Sequence, residues 1–337
     1  MSRIAIIGTG AWGTALTIVL GRTKRHELHL WAREEDVRAS LRKERTNPQF
    51  LPGYQLPERV LIHDNVAEAA TAAEILVSAV PSQHCRGIFG QLASHLDERT
   101  VVISATKGLE QGTLSRMTEV IRATTPPRIR VGALSGPTFA AEVARGDPTA
   151  ITIASEDHAL TATVQAEFSD PSFRVYSNSD VIGVELGGAL KNIIAIAAGV
   201  CHGLGLGHNS IAGLITRGLA EMTRLVVACG GRAETMSGLA GLGDLVLTCT
   251  GELSRNRSVG VELGHGRKLP EIITAMQGKV AEGVFTTQAA LQLAHRCHVE
   301  MPITEQIFAV LNEGKPPQEA IYELMTRSSK SEYAAQN

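Results

Sequence analysis

The feature that most constrains how this chain can fold sits at its start. Residues 3–7 (RIAII) form a short apolar run rich in β-branched side chains, residues 8–13 read GTGAWG, and residues 14–20 (TALTIVL) continue as a helix-compatible stretch. Strand, glycine turn and helix in that order form the G-x-G-x-x-G arrangement of a dinucleotide-binding unit. Gly8 permits the tight turn. Gly10 lets the backbone approach a pyrophosphate. Gly13 lets the helix close on the strand, and the helix N-terminus offers unpaired N–H groups and the positive end of its dipole to phosphate. The competing reading is a glycine-rich turn in some other α/β protein; the flanking strand and helix favour the dinucleotide site.

The pattern that follows extends this unit into a sheet. Strands are expected at 27–32, 60–62, 74–80, 100–105, 130–134 and 150–154, with helical segments at 33–45, 65–73 and 85–96 and a proline-marked loop at 47–53. Strands alternating with helices imply a mostly parallel sheet covered on both faces. Near residue 180 the pattern changes, and 186–201, 211–229, 271–276, 286–296 and 303–311 all read as helices. The expected fold class is α/β, an N-terminal Rossmann-type doubly wound sheet followed by an all-α C-terminal domain. The boundary falls within 180–190, giving a dinucleotide-binding domain over 1–182 and a helical substrate or catalytic domain over 183–337.

Composition excludes several function classes. Thirty-two Lys and Arg stand against 34 Asp and Glu, so no global basic field attracts nucleic acid or anionic membrane. Seven Phe, four Tyr and two Trp are too few for a base-stacking platform. No uninterrupted apolar stretch is long enough for a membrane span, and no signal-peptide pattern precedes the first strand, so a cytoplasmic protein is expected. Five cysteines lie far apart in sequence without a C-x-x-C, which fits reduced thiols and no zinc or iron–sulfur site. His202 and His208 lack an H-E-x-x-H context, so no metal is expected. No G-x-S-x-G appears, against an α/β-hydrolase.

The second strand ends Leu30-Trp31-Ala32-Arg33, where an acidic residue would hold the ribose 2′-hydroxyl of NAD. An arginine there welcomes a 2′-phosphate, while Glu34 and Glu35 directly after it blur the signal, so NADP(H) is favoured and NAD(H) stays open. Three polar clusters are candidates for chemistry. Lys107 follows a strand at its carboxyl end, where ligands bind in open α/β sheets, or is a solvated loop lysine. Lys191 and Asn192 interrupt a strongly apolar helix; the lysine is either snorkelling or held for proton transfer with a depressed pKa. Asp244 lies among glycine and apolar residues ahead of Thr248, and Ser254, Arg255 and Asn256 gather hydroxyl, guanidinium and amide donors suited to a phosphate monoester.

Taken together, GTGAWGTAL (8–16), SATKGLE (104–110), LSGPTFAAEVARGDPTA (134–150), VELGGALKNIIAIAAGV (184–200), GLAGLGDLVLTCT (238–250), SRNRSVG (254–260) and VAEGVFTT (280–287) resemble the bacterial form of the NAD(P)-dependent glycerol-3-phosphate dehydrogenase family, in the family's order and across the chain. The resemblance implies reversible reduction of dihydroxyacetone phosphate to sn-glycerol 3-phosphate by NAD(P)H, for glycerophospholipid synthesis, by a homodimer. It implies Lys191 as proton donor and acceptor, with Lys107 and Asp244 completing the catalytic set. Substrate would be bound by Lys107, Gly136, Thr138, Lys191, Asp244, Thr248, Ser254, Arg255 and Asn256. Cofactor would be bound by Gly8, Gly10, Ala11, Trp12, Gly13, Arg33, Lys107, Ala140, Arg255, Val280 and Glu282. Two other readings remain: a dehydrogenase of the β-hydroxyacid or 6-phosphogluconate type, and an NADPH-binding sensor without turnover.

Overall fold

A computed structural model of the chain describes residues 2–276, 280–329 and 331–332. Its first half is an eight-stranded sheet plus a small hairpin. The strands are β1 (Ser2–Ile7), β2 (His26–Trp31), β3 (Thr46–Asn47), β4 (Leu51–Gln55), β5 (Leu61–His63), β6 (Ile75–Ser78), β7 (Val101–Ser104), β8 (Arg130–Ser135), β9 (Thr149–Ala154) and β10 (Phe173–Asn178). The sheet order is β10-β9-β8-β7-β6-β1-β2-β5, and β3 pairs with β4 separately. Every neighbouring pair in the sheet is parallel except β8 and β9.

Side-chain alternation explains the two covered faces. Ile4 and Ile6 of β1 enter one apolar core with Ile75, Val77, Val101 and Ile103. Ala5 and Ile7 enter the other with Leu76 and Val102. Strands buried on both faces read as continuous apolar runs, which is why they were visible in the sequence. The chain leaves β1 towards β2 on one side and later returns to β6 on the other. The carboxyl ends of β1 and β6 therefore flank a topological switch point, where doubly wound sheets bind ligands.

Two expectations are corrected. Residues 47–53 are not a plain loop, because β3 and β4 form an irregular antiparallel hairpin around them. The strand β10, Phe173–Asn178, was not anticipated; its pattern is interrupted by the exposed Arg174 and Tyr176, so it reads as polar although it closes one edge of the sheet.

The helical half begins at Val181. The helix Val181–Gly203 is 23 residues long and buried through its middle. Asp180 caps it by accepting from Gly183 N (2.8 Å), and its second oxygen accepts from Arg232 N and Thr235 Oγ1. This helix has the length and apolarity of a membrane-crossing segment, but the fold encloses it as a core helix. Its tightest neighbour is the helix Arg255–Gly264. A Cβ on Gly199 would lie 2.0 Å from the Arg257 carbonyl, and one on Gly260 2.0 Å from the Ile196 carbonyl. The two backbones touch there, which only glycine allows. Two of the cysteines that lie far apart in sequence also meet in this half, with the Sγ atoms of Cys229 and Cys297 3.7 Å apart.

Candidate active site

The turn after β1 is built by steric exclusion. Gly8 has φ +111°, and a Cβ there would sit 2.7 Å from the Ala79 carbonyl oxygen. A Cβ on Gly13 would sit 2.0 Å from the Gly8 carbonyl oxygen, so the helix Ala11–Arg22 presses on the turn. Gly10 faces open space. The helix carries neither a side-chain cap nor an acidic residue in its first turn, which leaves its N–H groups available to an anion. Asn47, fully buried in the hairpin, braces this turn by donating from Nδ2 to Thr9 O and Thr14 Oγ1, both at 2.8 Å.

From this turn a cleft of about 710 Å³ runs between the two halves. It is lined by all the predicted site residues except Gly13 and Gly136. Gly13 works beneath the turn, and Gly136 acts through its carbonyl, which accepts from Lys107 Nζ (3.2 Å) and Thr138 Oγ1 (3.2 Å). Sequence reasoning missed Asn47 and Phe50. Phe50 lines the cleft from the hairpin, and the available signal was an apolar Phe-Leu pair inside an otherwise polar loop.

The far end of the cleft is a charged cluster withdrawn from water. Lys191, midway along its helix, is 7% exposed and Asp244 is 0% exposed. Lys191 Nζ donates to Asp244 Oδ1 and, at 2.8 Å, to Thr248 Oγ1. Lys107 Nζ donates to the other oxygen, Asp244 Oδ2, at 2.6 Å. One carboxylate thus bridges two ammonium groups from opposite halves of the molecule. Burial pulls the Lys191 pKa down to about 7; Asp244 opposes the shift and the nearby Lys107 charge adds to it. The alternative of a snorkelling lysine does not hold.

Close packing sets these positions. A Cβ on Gly187 would meet the Ala240 carbonyl oxygen at 2.7 Å, and one on Gly188 the Ser135 hydroxyl at 2.5 Å. The helix therefore lies against the end of β8 and against a π-helical turn, Leu239–Gly243, that delivers Asp244. Glu185, six residues before Lys191, does not pair with it. Its carboxylate is buried against Arg116 Nη1 (2.7 Å), Thr118 N (2.8 Å) and Thr118 Oγ1 (2.6 Å), joining the halves beside the cleft. Burial pushes its pKa up, with Arg116 opposing.

The third cluster sits at the start of the helix Arg255–Gly264. Ser254 is its N-cap and accepts from Arg257 N (3.2 Å). Asn256 donates one amide hydrogen to Asn192 Oδ1 (3.0 Å) and accepts from Gly283 N (2.9 Å), so it ties three helices at the cleft wall. Arg255 opens onto the cleft but lies among enough protein atoms that burial lowers its pKa, Glu282 opposing. Glu282 accepts from Ser82 N (3.2 Å) and Ser82 Oγ (2.8 Å), across the cleft, and burial raises its pKa.

One cleft thus holds a glycine turn at a free helix end, a buried lysine and an arginine at the start of a second helix. Residues 3–161 match the N-terminal region of the NAD-dependent glycerol-3-phosphate dehydrogenases, and residues 180–322 match their C-terminal region. The chain belongs to the NAD-dependent glycerol-3-phosphate dehydrogenase family. It is 62% identical over 334 residues to glycerol-3-phosphate dehydrogenase [NAD(P)+] of Koribacter versatilis, covering 98% of this chain and 99% of the relative. The corresponding enzyme of Acidobacterium capsulatum is 54% identical, covering 98% and 100%. Among solved structures, glycerol-3-phosphate dehydrogenase from Coxiella burnetii superposes with a TM-score of 0.93 at 40% identity, covering 97% of this chain and 99% of that one. The chain is thus an NAD(P)-dependent oxidoreductase, a Rossmann-like sheet followed by a helical domain. The residues fit the cofactor: the cradle excludes side chains where a pyrophosphate must approach, and the indole N–H of Trp12, which lines the cleft, is buried without a partner among the described residues.

Proposed function

We propose that residues 1–182 hold the dinucleotide, residues 183–337 carry the substrate and catalytic side chains, and Lys191 is the proton donor in the family's reaction, reduction of dihydroxyacetone phosphate to sn-glycerol 3-phosphate. The glycine cradle would hold NAD(P)H, which would supply the hydride for C2 of the ketone. The Lys191 ammonium faces the developing alkoxide, stabilises its charge and delivers the proton; in the reverse direction the neutral amine takes the proton back. The observation that carries the reading is geometric: Lys191 Nζ is held at the cleft by Asp244 and Thr248, with Lys107 on the other oxygen of the same carboxylate. Burial, which pulls its pKa down to about 7, suits both directions at neutral pH.

Asp244 keeps Lys191 and Lys107 at fixed positions and offsets part of their mutual repulsion. Lys107, Thr138 and Gly136 form the wall on the sheet side. The phosphate is bound at the start of the helix Arg255–Gly264, by Arg255, by Ser254 and by the second amide hydrogen of Asn256. That remote binding orients the carbonyl. Trp12, Arg33, Ala140, Val280 and Glu282 complete the cofactor wall. The working form is a cytoplasmic homodimer.

The test is oxidation of NADPH and of NADH, followed by absorbance, with dihydroxyacetone phosphate and with a hydroxyacid-type keto acid. Turnover confined to the phosphorylated ketone supports the reading. Turnover of the keto acid would favour the β-hydroxyacid type, and cofactor binding without any turnover would favour a sensor.

A further inference from the structure

Of the five cysteines, Cys85, Cys201 and Cys249 are buried. The two that keep some exposure, Cys229 and Cys297, are the two that touch, with their Sγ atoms 3.7 Å apart across 68 residues of sequence. The pair does not line the cleft, and the reaction makes no use of it.

Local structure holds both thiols in place. Cys229 is the C-cap residue of the helix His208–Ala228, and Cys297 is that of the helix Glu282–Arg296. The two helices end on the same motif. A residue with positive φ follows each cysteine, Gly230 at +90° and His298 at +55°. The next N–H then reaches back into the last turn, Gly231 N to Val226 O and Val299 N to Ala294 O, both at 2.9 Å. The chain beyond Cys297 is stitched onto the first of these helices. Glu221, 1% exposed, accepts from Ile303 N and Thr304 N, both at 2.9 Å, and Arg224 Nη2 donates to Glu300 O at 3.1 Å. The sulfurs meet because the backbones that carry them are already fixed side by side. An S–S bond is about 2.05 Å long, so they have to close by roughly 1.7 Å, a distance of the order that rotation about the two Cα–Cβ bonds covers.

We propose that Cys229 and Cys297 are a reversible internal disulfide site, oxidised by a small-molecule disulfide. Burial and the adjoining thiol hold Cys229 above the ordinary thiol range, with Arg296 and Arg116 opposing, so Cys229 is the resolving thiol. The Cys297 thiolate attacks one sulfur of the small disulfide and expels a thiolate. Cys229 then gives up its proton to that thiolate and attacks the Cys297 sulfur of the mixed disulfide, expelling the second. Two protein thiols are oxidised, one S–S bond forms, and two small thiols leave with the electrons and protons.

The bond closes a loop that contains Asp244, Ser254, Arg255, Asn256 and Glu282, and every other described residue that lines the cleft from the helical half except Lys191 and Asn192. Closing it removes freedom from the unfolded chain, so this wall of the cleft is protected against unfolding when the thiol pool turns oxidising. In a reducing pool the pair remains two thiols.

The test incubates the reduced full-length chain with oxidised glutathione, then unfolds it and counts thiols. Five thiols should fall to three, with no glutathione retained in the intact mass and no link between chains on a non-reducing gel. Peptide mapping should join Cys229 to Cys297. Cys229→Ser should instead keep one glutathione on Cys297, because nothing resolves the mixed disulfide; Cys297→Ser should lose the internal bond as well. The urea midpoint of the oxidised wild type should rise by roughly 0.5–1 M and return on addition of dithiothreitol, with no such rise in either variant. Five thiols remaining, a lasting glutathione adduct on the wild type, a link between chains or a bond to a different cysteine would each overturn the site. An unchanged midpoint with the bond formed would overturn its protective role.

Discussion

The glycine turn after β1 and the Lys107–Asp244–Lys191 cluster solve opposite problems. The turn, as the proposed anion site, works from backbone alone. Its residues act by having no side chain, and its donors are the unpaired N–H groups at the start of the helix Ala11–Arg22. The cluster, the proposed proton-transfer site, joins three charges, Lys191 and Asp244 buried and Lys107 part-buried, that come from the long helix, from the first residue of the helix Asp244–Thr250 and from the loop after β7. A backbone site costs little desolvation and is always formed. A buried charge cluster is costly unless every member keeps its partner, and the same burial gives Lys191 its useful pKa.

If that contrast is right, the two sites should respond differently to substitution. The largest effect is expected for Asp244→Asn, which leaves the buried Lys191 and the part-buried Lys107 without their carboxylate. A loss of roughly 3–5 kcal/mol in urea unfolding, together with loss of turnover, is the scale for breaking a buried pair. A variant as stable as wild type would show that the lysines do not depend on Asp244. Next, Lys191→Ala should lower kcat by at least ~10²-fold with near-normal cofactor affinity; a raised KM at unchanged kcat would make Lys191 a binder. Gly13→Ala should cost about 1–3 kcal/mol through overpacking against the Gly8 carbonyl, and should weaken dinucleotide binding without altering the pH profile of turnover.

The remaining effects are in pH. Because the folded-state pKa of Lys191 lies below its unfolded value, the unfolded chain binds more protons between about pH 7 and the ordinary lysine range. Stability of the wild type should therefore rise with pH across that window. The rise should be reduced in Lys191→Met, as read from urea midpoints. Ketone reduction, which needs the protonated amine, should instead fall as pH rises through about 7. A flat rate profile there would separate the proton donor from Lys191.

Much of this was legible before any coordinates. The glycine turn, the apolar strands and the switch to long helices are written in local spacing. Lys191 stood out because a charge inside an apolar helix is expensive to bury. What local spacing could not carry was who neutralises whom. Asp244 is 53 residues from Lys191 and 137 from Lys107, and nothing in either segment names the other. Glu185, only six residues before Lys191, serves Arg116 and Thr118 instead. Asn47 and Phe50 were read as loop because prolines and a short irregular hairpin hide their register. The sequence by itself determined the fold class and the glycine turn, since both follow from the periodicity and steric size of adjacent residues. Only the tertiary structure decided the buried charge cluster. Its pKa and its partners depend on which distant segments pack together, through glycine contacts such as Gly187 on Ala240 and Gly260 on Ile196, and on how much water that packing removes.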